Sequence, residues 1–298
     1  MAAPAQISLD VRVQHVLAEE VATAINKFHA IAGGGIVMDV QSGEIIAMVS
    51  LADFNTNAEE KNIGKKQQNK MTSGVYELGS VIKAVTFAMA IDSGVANLNS
   101  SYDATHPLVI GHQRIDDYRG QHRVLKLPEI FTYSSNIGTA RMALDVGVDR
   151  HIAFLRKVGL LDRLQTELPE SARPLLPKNW GKLASATAAF GHGFAVQPLQ
   201  GLTVVAGLLN DGKMLQPTFF KRSIEEADVL AQQVISPKTS ETLRYLFRLN
   251  AEKGSAAKAN IPGYMVGGKT GTAEKVVGGR YSGDHRLTSF IGAFPMSK

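Results

Sequence analysis

Cysteine is absent from this chain. That removes disulfide crosslinks, thiolate nucleophiles and zinc–thiolate sites, and it suits an oxidising compartment. Long apolar runs are missing too: no segment reaches the roughly eighteen apolar residues that a membrane-spanning helix needs. No signal-peptide pattern opens the chain, and Met1-Ala2-Ala3-Pro4 reads as the start of an excised domain rather than a leader. A strong charge of either sign is lacking, since 32 Lys and Arg face 27 Asp and Glu for a formal net charge of +5. The densest cationic run, residues 61–70, has no interleaved aromatics, so it reads as a solvated loop and no nucleic-acid partner is expected. The eight histidines form no H-x-H or H-x-x-x-H pair, so no metal site is expected; they read as surface or helix-packing residues.

What is present is ordinary globular sequence. A hydrophobic share of 44% over 298 residues suffices for a sizeable core. Val13, Leu17, Val21, Ala24 and Phe28 recur at helical spacing and predict a helix over about 11–29, ended by Gly33-Gly34-Gly35. "IVMDV" and "EIIAMVS" then predict a hairpin around Gln41-Ser42-Gly43. From Ser80, "SVIKAVTFAMAIDSG" is apolar all round, as a helix buried in the core must be. Helical, alanine-rich segments fill the middle, and Ser236-Pro237 caps another helix. "GYMVGGKTGTAEKVV" and "LTSFIGAF" predict a second hairpin. Strands at both ends with helices between predict an α+β fold in which the two hairpins meet in one sheet.

One stretch supports two chemistries. Gly263, Gly268, Lys269 and Thr270 satisfy the phosphate-loop pattern G-x-x-x-x-G-K-[ST]. A phosphate loop needs a flexible glycine-rich loop and a helix starting at the Lys-Thr. Here Tyr264-Met265-Val266 are strand formers, and Gly271 stands where that helix would begin. The alternative reading takes Lys269-Thr270-Gly271 as one wall of a serine acyl-transfer site. A nucleophile motif S-x-x-K occurs twice, at Ser80–Lys83 and at Ser255–Lys258. Ser255 sits in a polar stretch that buries nothing. Ser80 opens the apolar helix, where i and i+3 share a face, so the Lys83 amine lies beside the Ser80 hydroxyl. Burial and the positive end of the helix both disfavour a charged Lys83, and a neutral amine can accept the serine proton. Ser134-Ser135-Asn136 is the only S-x-N and Lys269-Thr270-Gly271 the only K-T-G.

The order S-x-x-K, S-x-N, K-T-G resembles that of penicillin-binding proteins and class A β-lactamases. The flanking segments "VYELGSVIKAVTFAMAIDSG", "IDDY", "FTYSSNIGTARMA" and "FGHGFAVQPLQ" are similar to the class B, division-specific branch of the penicillin-binding proteins (the penicillin-binding protein 3 type). This resemblance runs through nearly the whole chain. It implies a serine β-lactamase/transpeptidase-like fold: an antiparallel sheet flanked by helices, with a mostly helical subdomain. Residues 1–30 would lead into the catalytic domain, and 31–298 would form it. The apolar strand that lies centrally in the family's sheet, and the C-terminal helix, find no counterpart after "RLTSFIGAFP", which would leave the two hairpins facing a gap.

The same resemblance implies roles residue by residue. Ser80 would attack the penultimate D-Ala carbonyl of a stem pentapeptide, with Lys83 as its base and Ser134 relaying the proton to the leaving amine. Asn136 would bind the donor amide, and Lys269 would set the electrostatics around Ser134. Thr270 and Thr272 would take the terminal carboxylate, and the oxyanion would sit between the N–H groups of Ser80 and Thr272. Gly271 suits a strand edge that a substrate backbone approaches closely. No cofactor is implied. Implied partners are peptidoglycan stem peptides as donor and amine acceptor, β-lactams, and membrane proteins of the division machinery. The parent protein would be anchored in the inner membrane with this domain in the periplasm. Two alternatives stand beside the transpeptidase. A serine β-lactamase would need a deacylating base, and no E-x-x-L-N segment lies between Asn136 and Lys269; Glu167 and Glu170 read as loop charges. An inactive fragment that retains the fold is the other.

Overall fold

The computed structural model describes residues 5–52, 68–277 and 280–297. Of the cationic run over 61–70, residues 61–67 lie outside them. The first helix, α1 (Val11–Phe28), forms where the apolar spacing predicts it. Asp10 caps it by accepting the Arg12 N–H at 2.9 Å. Strands β1 (Ala32–Met38) and β2 (Ile45–Ala52) pair antiparallel, as expected. Asp39 folds the turn between them by accepting the N–H groups of Gln41 and Ser42. The triple glycine, expected only to end the helix, lies inside β1. A Cβ on Gly35 would stand 2.7 Å from Leu17 Cδ1 of α1, and one on Gly34 would stand 2.4 Å from Met71 Cε. Glycine therefore lets the helix and the 71 region close on the two faces of one strand.

A 3-10 turn over Gly79–Ile82 runs into α2 (Lys83–Asp92), and every residue from Val81 to Ala90 is buried. Four short strands follow: β3 (Ser101–Asp103), β4 (Leu108–Ile110), β5 (Gln113–Ile115) and β6 (Val124–Lys126), paired β3 with β6 and β4 with β5. Then come α3 (Leu127–Thr132), α4 (Asn136–Val146), α5 (Val148–Lys157), α6 (Lys182–Ala188) and α7 (Pro198–Leu209). Beyond β7 (Lys213–Met214), α8 (Ile224–Leu230) and β8 (Gln232–Gln233), the predicted Ser236 cap opens α9 (Pro237–Lys253). The last elements are β9 (Gly267–Val277) and β10 (Arg280–Ala293).

The helical core forms around α2, which packs against α4, α5, α7 and α9. At its centre Phe131 meets Phe87 edge-on at 5.1 Å and Phe247 at 5.4 Å, tying α2, α3 and α9 together. Among the described residues, no helix is long and apolar enough to cross a membrane.

Two expectations need correction. β9 begins at Gly267, not at Gly263, and Tyr264 and Met265 are exposed loop residues. The strand starts where its partner does, because Gly267 pairs with Ala293 at the end of β10. The two hairpins also form separate two-stranded ladders rather than one sheet. Each is positioned by its own helix: α1 packs on β1 and β2, while α9 holds β9 through Asn250 Nδ2 to the Gly268 carbonyl at 2.7 Å. Backbone pairing requires strands about 4.8 Å apart. Among the described residues, β1 pairs only with β2 and β10 only with β9.

Phe131 is 0% exposed and shared by three helices. Phe131→Ala should lower unfolding free energy by about 3–5 kcal/mol in urea titration, the usual cost of an aromatic-sized core cavity.

Candidate active site

Three segments converge on the turn that carries Ser80. Gly79, just before it, has a φ of 59°, and a Cβ there would meet the Thr272 carbonyl of β9 at 2.6 Å and its amide nitrogen at 3.1 Å. Gly191, with a φ of 83°, packs so closely that its own Cβ would overlap the Gly79 carbonyl. Ser289 of β10 donates its hydroxyl to the Leu78 carbonyl at 3.0 Å. The turn is thus clamped by β9, β10 and the Gly191 loop. In a 3-10 turn residues i and i+3 eclipse, which keeps Lys83 on the same side as Ser80.

Lys83, Ser134, Asn136 and Lys269 assemble, whereas the expected hydrogen bond between Ser80 and Lys83 is not formed among the described residues. Lys83 Nζ lies 2.8 Å from Asn136 Oδ1, 3.1 Å from Ser134 Oγ and 2.5 Å from the Ser134 carbonyl. From the other side, Lys269 Nζ reaches Ser134 Oγ at 2.9 Å and the Thr270 carbonyl at 3.0 Å. Both lysines are 0% exposed. Burial holds Lys83 well below the ordinary lysine value; the charge of Lys269 pushes the same way, and the Asp117 carboxylate opposes it. Burial brings Lys269 down to about 7, and its ammonium sits 5.9 Å from the Phe131 ring centroid. A neutral Lys83 amine has two hydrogens, for the Ser134 carbonyl and Asn136 Oδ1, and a lone pair left to accept a hydroxyl proton. A charged Lys269 can donate to Ser134 Oγ at the same time. The arrangement can therefore take a proton at Lys83 and deliver one from Ser134.

Ser134 adopts a φ of 57°, rare for a non-glycine residue, and this turns its carbonyl and hydroxyl alike toward Lys83. What holds that conformation is Asp117. Its carboxylate accepts the N–H groups of Asn136 at 2.5 Å and Ile137 at 2.9 Å and the Ser135 hydroxyl at 2.7 Å, at the positive end of α4. Asn136 in turn donates Nδ2 to the Asp116 carbonyl at 3.0 Å. The segment "IDDY" is similar to the family, yet the motif pattern gives Asp117 no role. A carboxylate 17 residues upstream of the S-x-N motif carries no local signal of this contact.

On β9, Lys269, Gly271 and Ala273 face inward, while Thr270 and Thr272 share the opposite face. Thr270 donates its hydroxyl to Ser255 Oγ at 2.8 Å, and Asn250 Oδ1 accepts the Ser255 N–H at 3.0 Å. The serine of the discarded second S-x-x-K therefore stands beside the site, while Lys258 points to solvent. The structure gives Gly271 a reason of its own within the fold. A Cβ there would meet Leu78 O at 2.4 Å and Ser289 Oγ at 2.3 Å, so glycine is required by the Ser80 segment itself. β9 also runs unbroken through Lys269 and Thr270, which removes the helix a phosphate loop needs. Glu167 binds Thr218 Oγ1 and the Phe219 N–H, and Glu170 approaches Thr72. Neither contacts Lys83, Ser134 or Lys269 among the described residues.

Asp117→Ala should lower stability by about 1–2 kcal/mol in urea titration, the range for a lost helix cap.

Residues 33–298 match the family profile described as penicillin binding protein transpeptidase domain. The chain is 38% identical over 297 residues to a probable peptidoglycan D,D-transpeptidase FtsI of Caulobacter vibrioides, covering 98% of this chain and 50% of that protein. It is 30% identical over 292 residues to a probable peptidoglycan D,D-transpeptidase PenA of Neisseria meningitidis, covering 97% and 49%. The chain spans about half the length of the curated relatives it matches. Its fold superposes on the TP domain of Burkholderia pseudomallei penicillin-binding protein 3 with a TM-score of 0.86 at 28% identity, over 98% of this chain and 84% of that one. A Mycobacterium tuberculosis penicillin-binding protein 3 complexed with aztreonam gives 0.85 at 25% identity, over 98% and 70%. With nearly its whole length matched in sequence and in fold, this chain belongs to the penicillin-binding protein transpeptidase family.

Proposed function

We propose that this domain is a peptidoglycan D,D-transpeptidase that crosslinks stem peptides during septal wall synthesis. The observation that carries the reading is the meeting of Lys83 and Lys269 on one hydroxyl, Ser134, with Ser80 one 3-10 turn before Lys83. Ser80 Oγ attacks the penultimate D-Ala carbonyl as its proton passes to Lys83. Collapse breaks the peptide C–N bond, and the leaving D-Ala amine takes a proton through Ser134. An amine of a second stem peptide then attacks the ester carbonyl. The new C–N bond forms, the C–O bond to Ser80 breaks, and the amine's proton returns to Ser80 through the same groups.

Asn136 binds the donor amide, and Thr270 and Thr272 bind the terminal carboxylate. The N–H groups of Ser80 and Thr272 hold the oxyanion, supported by the packing of Thr272 against Gly79. Losing one such donor costs roughly 100- to 1,000-fold in rate. β-Lactams, as D-Ala-D-Ala mimics, acylate the same serine. In the parent protein the domain works in the periplasm, tethered to the inner membrane beside division proteins.

A fluorescent penicillin should label the chain stably, and Ser80→Ala should abolish the label. A folded chain that takes no label would sink the reading, and rapid turnover of a chromogenic cephalosporin would replace it with a β-lactamase. The pH dependence of labelling follows from the two lysines. Acylation needs Lys83 neutral, so its acid limb lies well below the ordinary lysine range. Above about pH 7, Lys269 loses its proton and the rate should fall. In Lys269→Met the positive neighbour is gone, the Lys83 pKa rises, and the acid limb should move to higher pH in a labelling-rate profile.

A further inference from the structure

The segment that leads into the Ser80 turn is tied to the chain beyond α6 at several points. Tyr76 and Val196 exchange backbone hydrogen bonds, N–H to carbonyl, at 2.9 Å and 3.0 Å. Three residues on, the Gly79 N–H donates to the Gly191 carbonyl at 3.3 Å. Between these two ties a side chain crosses. Glu77 Oε1 accepts the Gly193 N–H at 3.0 Å, and the other carboxylate oxygen lies 3.9 Å from His192 Nδ1. The Glu77 side chain is 16% exposed, which shelters the bond from competing water.

The loop after α6 is fixed by its own bonds only as far as His192. The N–H groups of Gly191 and His192 return to the carbonyls of Ala188 and Thr187, and Thr86 of α2 donates its hydroxyl to the Ala189 carbonyl at 2.7 Å. Gly193 then turns away with a φ of 81°, and beyond it the backbone is tied again at Ala195, which exchanges hydrogen bonds with Leu175. Across that interval the Glu77 carboxylate meets the Gly193 N–H. What this loop presses on is a single peptide unit. A Cβ on Gly191 would overlap the Gly79 carbonyl, so the loop abuts the Gly79–Ser80 peptide. A peptide unit is planar, so whatever holds the Gly79 carbonyl also sets the direction of the Ser80 N–H. That N–H is one of the two donors placed at the oxyanion above.

We propose that Glu77 is a positioning residue for acylation: its carboxylate holds the Gly191–Gly193 loop against the Gly79–Ser80 peptide and so aims the Ser80 N–H at the oxyanion. The inference rests on the transpeptidase reading and deepens it, since Glu77 acts through the backbone and not on the substrate. Reach outweighs charge in this role. An acceptor oxygen at the right distance from the Gly193 N–H serves, whereas a shorter side chain leaves the loop free to back away. An oxyanion donor stabilises the transition state more than the bound ligand, so the effect falls on the acylation rate constant and spares the binding constant.

The test compares Glu77→Gln and Glu77→Asp in stopped-flow acylation by a fluorescent penicillin, its concentration varied to separate the binding constant from the acylation rate constant. Gln keeps the reach and loses the charge; Asp keeps the charge and is one methylene short. Glu77→Gln should acylate within about twofold of the unaltered chain and Glu77→Asp about tenfold more slowly, with the binding constant unchanged in both. A side chain that only stabilised the fold would leave the rate constant alone at a temperature where both variants are fully folded. Equal rates in Glu77→Asp and the unaltered chain, a Gln variant slower than the Asp variant, or a loss carried by the binding constant would overturn the proposal. Should Glu77→Asp not fold, amide exchange in the unaltered chain decides. The Gly193 N–H, on an exposed residue, should exchange about tenfold more slowly than a free amide, and exchange at the free rate would sink the idea. A chain that takes no penicillin label fails earlier, at the transpeptidase reading, and the inference falls with it; a labelled chain in which Glu77→Asp changes nothing sinks only the inference.

Discussion

Two lysine amines buried around a single serine hydroxyl are the constraint on which the rest of this structure depends. Like charges in a water-poor site cannot both be retained cheaply, so burial and mutual repulsion push Lys83 toward its neutral form. What keeps the arrangement from collapsing is its surroundings. Phe131 offers its ring face to Lys269, and Asp117 supplies a negative charge close enough to favour the cation at Lys83. The same Asp117 caps α4 and pins Ser134 in a strained conformation. One carboxylate thus serves electrostatics and geometry together, which ties the protonation state of the site to the integrity of a helix end.

Bringing the turn that holds Ser80 up against β9 and the Gly191 loop requires backbone where side chains would normally stand. Gly79, Gly191 and Gly271 each leave the space of a missing Cβ, and in each case backbone atoms of a facing segment fill it. These contacts run between residues more than 75 positions apart. They fix the distance between the Ser80 turn and β9 without any covalent link, which matters in a chain without cysteine. Of the two long hairpins, β1–β2 leans on α1 and β9–β10 on α9, so β9 takes its position from α9 and from the Ser80 turn rather than from a continuous sheet.

Much of this was readable in the one-dimensional chain, because it depends on local pattern. The apolar spacing over 11–28, the glycine turn near Gly43 and the all-round apolar run after Ser80 each dictate an element by short-range physics. The three motifs pick out residues that meet in space: the structure brings Lys83, Ser134, Asn136 and Lys269 into contact. Tyr264-Met265-Val266 shows the limit of such reasoning: strand-forming residues stay in a loop where β10 offers no partner.

What the sequence by itself determined is which motif residues gather at the candidate site and the periodicity of the elements that carry them. Tertiary structure alone decided which contacts matter. It recruited Asp117 to α4, set Ser255 beside Thr270, and brought Leu78 so close to Gly271 that a side chain there has no room. The physical reason is common to all three. A cap, a hydroxyl contact and a close backbone approach depend on distance in space, and residues far apart along a chain carry no mark of the neighbour that folding will give them.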